Sequence, residues 1–366
     1  MSTGLHRYGG LSTVADPIAA RRNRRRGQGP RISGLTLSDG PTVLTQEQAL
    51  AGLGLAGNEF AEGIFERCGV ERRSLNLGGD FLGRTLQGRS EQVERELMAH
   101  AVDAVEQLQV DPLQIGTVVT ATLYSLGGPT LAHRLIEHFE MAPTTDKYHI
   151  TGVGCASAVP LMRLAGQALR EHPHKQALVV AAENMSGLMP SSPADSKAKI
   201  VASAIFGDGC AAALLSGDAR AHGPAILASQ VHQIPGTLDA VSMQLSEDEG
   251  YLQLARELPD LAGAGLDEIV AGFLRHNRLV RSDIDHWIVH PGGRRIIENV
   301  QGALALSDDD VATSWRALAD HGNVGTPAIF YVLKDAIEQD RPRAGERGLM
   351  VTIGPGVTVG LMLLGW

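Results

Sequence analysis

The amino-acid sequence predicts an α/β protein built of alternating layers of strands and helices. Strand-like and helix-like segments alternate along the chain, which implies layered α/β packing. Glycine is abundant at 43 residues and aromatic residues are scarce at 4%. That composition suits close-packed layers joined by many tight turns. With 366 residues, 43% hydrophobic and 20% charged, the chain reads as a globular protein of two domains or one large one.

Residues 1–29 mix Gly, Pro and Arg and read as an N-terminal arm; 31–37 are the first strand. Residues 45–68 read as helical. Helix 90–108 has an acidic first turn, strand 115–122 is buried, 130–139 is helical, and 148–150 ends another strand. Strands 177–183 and 210–215 come next. A polar stretch closing on Gly223-Pro224 leads into 225–231. The second part of the chain alternates in the same way, with helix 266–277, strand 286–290, helices 295–304 and 328–338, and closing strands 348–353 and 358–364. No duplication is visible in the sequence itself.

The net charge is −9, yet five arginines fall within 21–26 with no acidic residue among them. Setting those five positive charges aside leaves −14 for the rest, which argues against a nucleic-acid-binding body. The arginine run reads as a solvated arm, with an anionic carrier protein or CoA as the alternative partner. Cys68, Cys155 and Cys210 are far apart, with no CxxC pair or Cys/His cluster. Neither a disulfide framework nor a metal site is expected, and a reducing cytoplasm fits. No signal peptide or bilayer-length apolar run is visible, so membrane insertion is not expected.

The most informative stretch is 151–169, which sets Cys155 after a glycine-containing turn at the start of an apolar helix. A cysteine at a helix N-terminus lies in the positive end of the macrodipole, which favours thiolate. The helix is apolar almost all round and is expected to be buried. Cys155 is either an activated nucleophile or a small core hydrophobe. Two later turns carry candidate partners. The strand Trp287-Ile288-Val289 ends in His290 at Pro291-Gly292-Gly293, and the turn His321-Gly322-Asn323 precedes a helix. Distant residues converge in a fold, although singly His290 also reads as a core histidine and Asn323 as a turn residue.

Five motifs occur in order across 30–366: Gly154-Cys155, Ile205-Phe206-Gly207-Asp208-Gly209, His290-Pro291-Gly292-Gly293, Gly322-Asn323 and Gly354-Pro355-Gly356. With this spacing the chain resembles the thiolase-fold condensing enzymes, and most of all the type III polyketide synthases of the chalcone and stilbene synthase family. His-Pro-Gly-Gly discriminates, because the carrier-protein-dependent initiation synthases usually have His-Gln-Ala-Asn there. The resemblance implies a thiolase fold of two similar halves packed as alternating α and β layers. The first half, 30–224, would carry the nucleophile Cys155, and the second, 225–366, its partners His290 and Asn323.

The resemblance further implies loading of an acyl group from acyl-CoA onto Cys155, then decarboxylative condensation with malonyl-CoA to a small phenol, resorcinol or pyrone. Decarboxylation places negative charge on the thioester oxygen, and the His290 N–H and the Asn323 amide would supply donors to it. No metal or redox cofactor is required. Arg67 and Arg295 would bind CoA, although Arg67 also reads as an ordinary surface charge. Thr122, Met185, Leu188, Phe206 and Gly325 would line the substrate pocket, with Phe206 as a gate; Asp208 reads as structural. Family members are homodimers, and 121–131 offers apolar surface for that, with Leu126 near a residue that reaches the partner's cavity. An acyl carrier protein is a further candidate partner.

The chain also departs from the family. Ala156 follows the nucleophile where Phe is usual. Met185 and Leu188 stand where plant members have threonines, and Gly325 where they have serine. A CoA-binding lysine is missing, and 250–259 is shortened, without a second gate phenylalanine. A pocket more apolar on one wall and roomier beside Asn323 is expected, which puts aromatic starters in doubt. Three other readings stay open: a carrier-protein-dependent initiation ketosynthase of the β-ketoacyl synthase III type, a non-condensing thiolase-fold acyltransferase, and a silent partner subunit.

Overall fold

The computed structural model describes residues 29–366 except 79, 124–126, 173 and 246–249. The arginine run, nearly all of the expected arm, and Leu126 lie outside the described residues.

The first part of the chain contains β1 (Arg31–Asp39), β2 (Val43–Thr45), α1 (Gln46–Gly52), α2 (Glu59–Arg67), β3 (Arg72–Ser74), α3 (Leu86–Gln107), β4 (Ile115–Ala121), α4 (Leu131–His138), β5 (Asp146–Ile150), α5 (Ala158–Ala168), β6 (Gln176–Glu183), α6 (Lys197–Ile205) and β7 (Gly209–Ser216). The second contains β8 (Ala225–Gln233), β9 (Val241–Leu245), β10 (Gly250–Leu254), α7 (Leu258–Gly263), α8 (Leu266–His276), β11 (His286–Val289), α9 (Arg294–Leu304), α10 (Ala312–His321), α11 (Ala328–Asp335), β12 (Arg347–Gly354) and β13 (Thr358–Gly365).

Nine strands form one mixed sheet in the order β11-β12-β13-β8-β1-β7-β6-β4-β5. Reading outward from the β1–β8 junction, both sides have the same pattern. β1 and β7 are antiparallel, as are β8 and β13; β7–β6 and β13–β12 are antiparallel; β6–β4 and β12–β11 are parallel. This duplication is invisible in the residues because a strand's sequence records burial, not its neighbour.

Helix α5 packs against β4 and β6 of one part and β8 and β13 of the other, while α11 packs against β1, β7, β11 and β12. Both helices are therefore covered on both sides, which explains their apolar surfaces. Ala177, Ala181, Ala211 and Ala213 on β6 and β7 are fully buried beneath this layer; small side chains let helix and sheet approach closely.

Several elements differ from expectation for local reasons. Segment 45–68 holds two separate helices, α1 and α2, because Asn58 accepts the Ala61 N–H at 3.1 Å and starts α2 afresh. Helix α3 begins at Leu86, where Thr85 accepts the Gly88 N–H at 3.1 Å, and its first turn holds no acidic residue. Helix α11 ends at Asp335 and runs into a π-helical turn, Ala336–Asp340. Helices α6 and α10 and the β9–β10 hairpin were not expected from the sequence.

Candidate active site

Cys155 lies in a 3₁₀ turn, Gly154–Ala156, between β5 and α5. The helix proper starts three residues later than the sequence suggests, at Ala158. Gly154 has φ +54°, and a Cβ there would stand 2.9 Å from Pro355 Cδ. Only glycine satisfies both constraints, so the Gly354-Pro355-Gly356 turn between β12 and β13 forms the bed of the Cys155 turn.

His290 follows β11, and its N–H donates to Val351 O at 2.9 Å, extending the parallel ladder with β12 by one rung. Asn323 sits in the turn after α10. Its N–H donates to Ile205 O at 2.7 Å, its carbonyl accepts the Gly207 N–H at 3.2 Å, and it bridges to Phe206. The Asn323 amide is oriented by two backbone groups. Oδ1 accepts the Gly325 N–H at 3.0 Å, and Nδ2 donates to Gly292 O at 3.3 Å. A backbone N–H only donates, so Oδ1 is the atom that faces the Cys155 Sγ, at 3.9 Å.

Cys155, His290, Asn323 and Phe206 line one cavity. Its other walls are apolar: Val241 and the β10 residues Leu252 and Leu254, Leu258 of α7, Ile296 of α9, and Ile353. The hairpin and α7 thus supply aliphatic side chains on the wall for which the sequence showed no second phenylalanine.

Burial, and next the carboxyl of Glu183, push the Cys155 thiol up to about 12. Burial alone pushes the His290 imidazole down to about 3. Both shifts favour the neutral forms, a thiol and an imidazole, and run against the thiolate expected from the helix start. His290 Nδ1 is buried and has no hydrogen-bond partner among the described residues.

The remaining expected pocket residues lie elsewhere. Thr122, Met185, Leu188 and Gly325 do not line this cavity. Met185 and Leu188 belong to a buried 3₁₀ turn, Met185–Leu188, and Thr122 is buried beside Glu183. The expected extra room beside Asn323 is corrected: Gly325 has φ +68°, and a Cβ there would stand 2.6 Å from Met185 Cε and 3.0 Å from Glu183 Cγ. The space that a smaller residue leaves is filled by a larger neighbour.

Arg67 and Arg295 are exposed and do not line this cavity. Arg67 lies 3.9 Å from Glu66, and Arg295 lies 3.7 Å from Asp260. Asp208 accepts the Ser186 N–H at 2.8 Å and bonds its Oγ at 2.6 Å, pinning the 185–188 turn.

Sequence reasoning missed Glu183. It ends an otherwise apolar strand, and that single acidic residue was the available signal. It is 1% exposed. Burial pushes its carboxyl up to about 7, against donors from Leu123, Thr326 and Thr122 that lower it. Among the described residues no group of three or more His, Cys, Asp and Glu suited to a metal is found, and no helix is long and apolar enough to cross a membrane.

Residues 45–274 match the family described as FAE1/type III polyketide synthase-like protein, and 225–365 match the C-terminal domain of chalcone and stilbene synthases. The chain is 28% identical over 361 residues to a 3,5-dihydroxyphenylacetyl-CoA synthase of Streptomyces toyocaensis, covering 92% of this chain and 90% of that protein. It is 30% identical to a 1,3,6,8-tetrahydroxynaphthalene synthase of Streptomyces peucetius subsp. caesius, covering 74% of this chain and 72% of that one. The crystal structure of PKS-I from the brown alga Ectocarpus siliculosus superposes with a TM-score of 0.84 at 25% identity, covering 94% of this chain and all of that one. Motifs, thiolase-like layering and these matches agree: the chain belongs to the type III polyketide synthase family.

Proposed function

We propose that Cys155, His290 and Asn323 carry acyl loading and decarboxylative condensation, giving a small phenolic, resorcinol or pyrone polyketide. The observation that carries this reading is their convergence on one apolar-walled cavity from three distant turns. In loading, Cys155 Sγ attacks the acyl-CoA carbonyl and its proton passes to the neutral His290. The S–C bond to CoA breaks and CoA leaves as its thiol, taking that proton. In extension, malonyl-CoA loses CO₂, leaving an enolate on its thioester oxygen. His290 N–H and the free Asn323 amide hydrogen stabilise that charge. The enolate carbon attacks the acyl carbonyl, a C–C bond forms, and the S–C bond breaks to release Sγ as thiolate, which takes a proton from solvent.

The apolar walls support an aliphatic starter, or malonyl-CoA alone, over a hydroxycinnamoyl thioester, whose phenol would lack a partner there. Arg67 and Arg295 are proposed CoA contacts, since both carry exposed guanidinium groups. Division of the chain at 224/225 is supported by the repeated strand pattern on the two sides of the sheet. A homodimer is supported by β5, whose outer edge has no strand partner among the described residues and carries an exposed Tyr148. A reducing compartment, which keeps Cys155 a free thiol, suits the chemistry.

The test is incubation with a panel of acyl-CoA starters and malonyl-CoA, following CO₂, CoA and products by mass spectrometry. CO₂ release and ketide products are expected with CoA substrates alone. A requirement for acyl carrier protein, or acyl transfer without CO₂, would overturn this reading.

A further inference from the structure

The hydrogen bonds around Glu183 do not balance if its carboxyl is ionised. Oε2 accepts the Leu123 N–H at 2.8 Å and faces Thr122 Oγ1 at 3.4 Å. Oε1 lies 3.0 Å from Thr326 Oγ1, and the Thr326 N–H also donates to the carboxyl. That same hydroxyl lies 2.9 Å from Gly154 O, and a carbonyl oxygen only accepts. A threonine hydroxyl has one proton to give. With a carboxylate at 183, one of these two short oxygen–oxygen contacts has no proton in it. With a carboxylic acid, Oε1–H donates to Thr326 Oγ1, which donates to Gly154 O, and every contact is filled.

Gly154 immediately precedes Cys155, and its carbonyl also accepts the Ser157 N–H at 2.8 Å. The Thr326 hydroxyl therefore ties the turn that aims Cys155 to the loop that carries Asn323. We infer that Glu183 acts as a neutral acid: a positioning residue that holds the Cys155 turn through Thr326 and keeps its own negative charge away from the thiolate and the enolate. The consequence for catalysis rests on the assignment of Cys155 as nucleophile.

The groups facing Glu183 are few. Cys155 from the nucleophile turn and Cys210 from β7 both sense its charge. Thr122 after β4, Thr326 before α11 and Met185 carry none. Burial pushes the Glu183 carboxyl up to about 7, so the acid gives way to the carboxylate across the neutral range. Ionisation breaks the relay and sets a like charge near a forming thiolate.

Glu183→Ala, Glu183→Gln, Thr326→Val and Thr326→Ser test this. Glutamine donates to Thr326 as the acid does and does not ionise. Two quantities are read against pH: the rate of Cys155 alkylation by iodoacetamide, followed by intact mass, and kcat for malonyl-CoA-dependent turnover. Glu183→Gln is expected to rescue most of what Glu183→Ala loses and to remove the decline of kcat above neutrality. Its alkylation curve shifts to lower pH. Thr326→Val should lose roughly three- to tenfold in kcat, about one neutral hydrogen bond, and Thr326→Ser should recover it. Two results would overturn the inference: Glu183→Gln as inactive as Glu183→Ala at every pH, which marks a proton-transferring carboxylate, or wild-type and Glu183→Gln alkylation curves that coincide. Alkylation needs no substrate, so it decides the matter even if no polyketide forms.

Discussion

Met185 and Gly325 are sterically complementary: Met185 Cε lies 2.6 Å from where a Cβ on residue 325 would stand. Residue 325 also has φ +68°, which L side chains adopt only under strain. Gly325→Ser is therefore expected to destabilise the fold by about 1–3 kcal/mol. Adding Met185→Ala should recover part of the loss, because it removes the clash but not the backbone strain. Urea unfolding of the single and double variants checks this, and a fully additive pair would show that the two side chains do not meet.

Cys155→Ala should abolish acyl-enzyme formation. Cys68 and Cys210 are buried and line no part of the cavity, so neither substitutes. Intact mass after incubation with acyl-CoA reads the result. Acylation that survives in Cys155→Ala and is lost in Cys68→Ala or Cys210→Ala would reassign the nucleophile.

On the proposed mechanism Asn323→Ala removes a donor from the developing enolate, a change that typically costs about 10²–10³ in rate. Malonyl-CoA decarboxylation should fall by that much while loading of Cys155 persists, whereas His290→Ala should impair both. Asn323→Asp keeps an oxygen for the Gly325 N–H, found at 3.0 Å, and adds a negative charge. It should decarboxylate no better than Asn323→Ala. Activity in Asn323→Asp would mean that the residue serves only the turn.

Glu183 and Asp208 predict the direction of pH-dependent stability. Burial raises both carboxyls to about 7, from ordinary values of 4.5 and 3.8. The folded state holds protons that the unfolded chain has released, so this contribution to stability is greatest below about 4 and declines as pH rises toward 7. Glu183→Gln should flatten part of that decline. Thermal midpoints at pH 5 and pH 8, compared between wild type and variant, read it, and identical differences would place the dependence elsewhere.

The walls formed by Leu252, Leu254 and Leu258 predict starter choice. Each buried methylene contributes ~0.8 kcal/mol, or about fourfold in kcat/KM. Aliphatic acyl-CoA starters should outperform 4-coumaroyl-CoA, and Leu252→Ala should shift preference toward longer chains. If 4-coumaroyl-CoA is the best wild-type starter, the apolar wall does not set selectivity.

The sequence alone determined the class of fold and the three turns that bring chemistry to the site. These features are local: an apolar run marks a strand, and a glycine within two residues of Cys155, His290 or Asn323 marks where the backbone turns sharply. Tertiary structure decided the rest. Glu183 is one acidic residue at the end of an apolar strand until Leu123, Thr326 and Gly154 close around it. Gly325 reads as open space until Met185 fills it. The hairpin wall at Leu252 and Leu254 and the repeated strand order are relations between residues far apart in the chain. Burial also works against the thiolate expected at Cys155, because a helix start can be read from sequence, whereas the desolvation of a thiol depends on every neighbour that the fold brings to it.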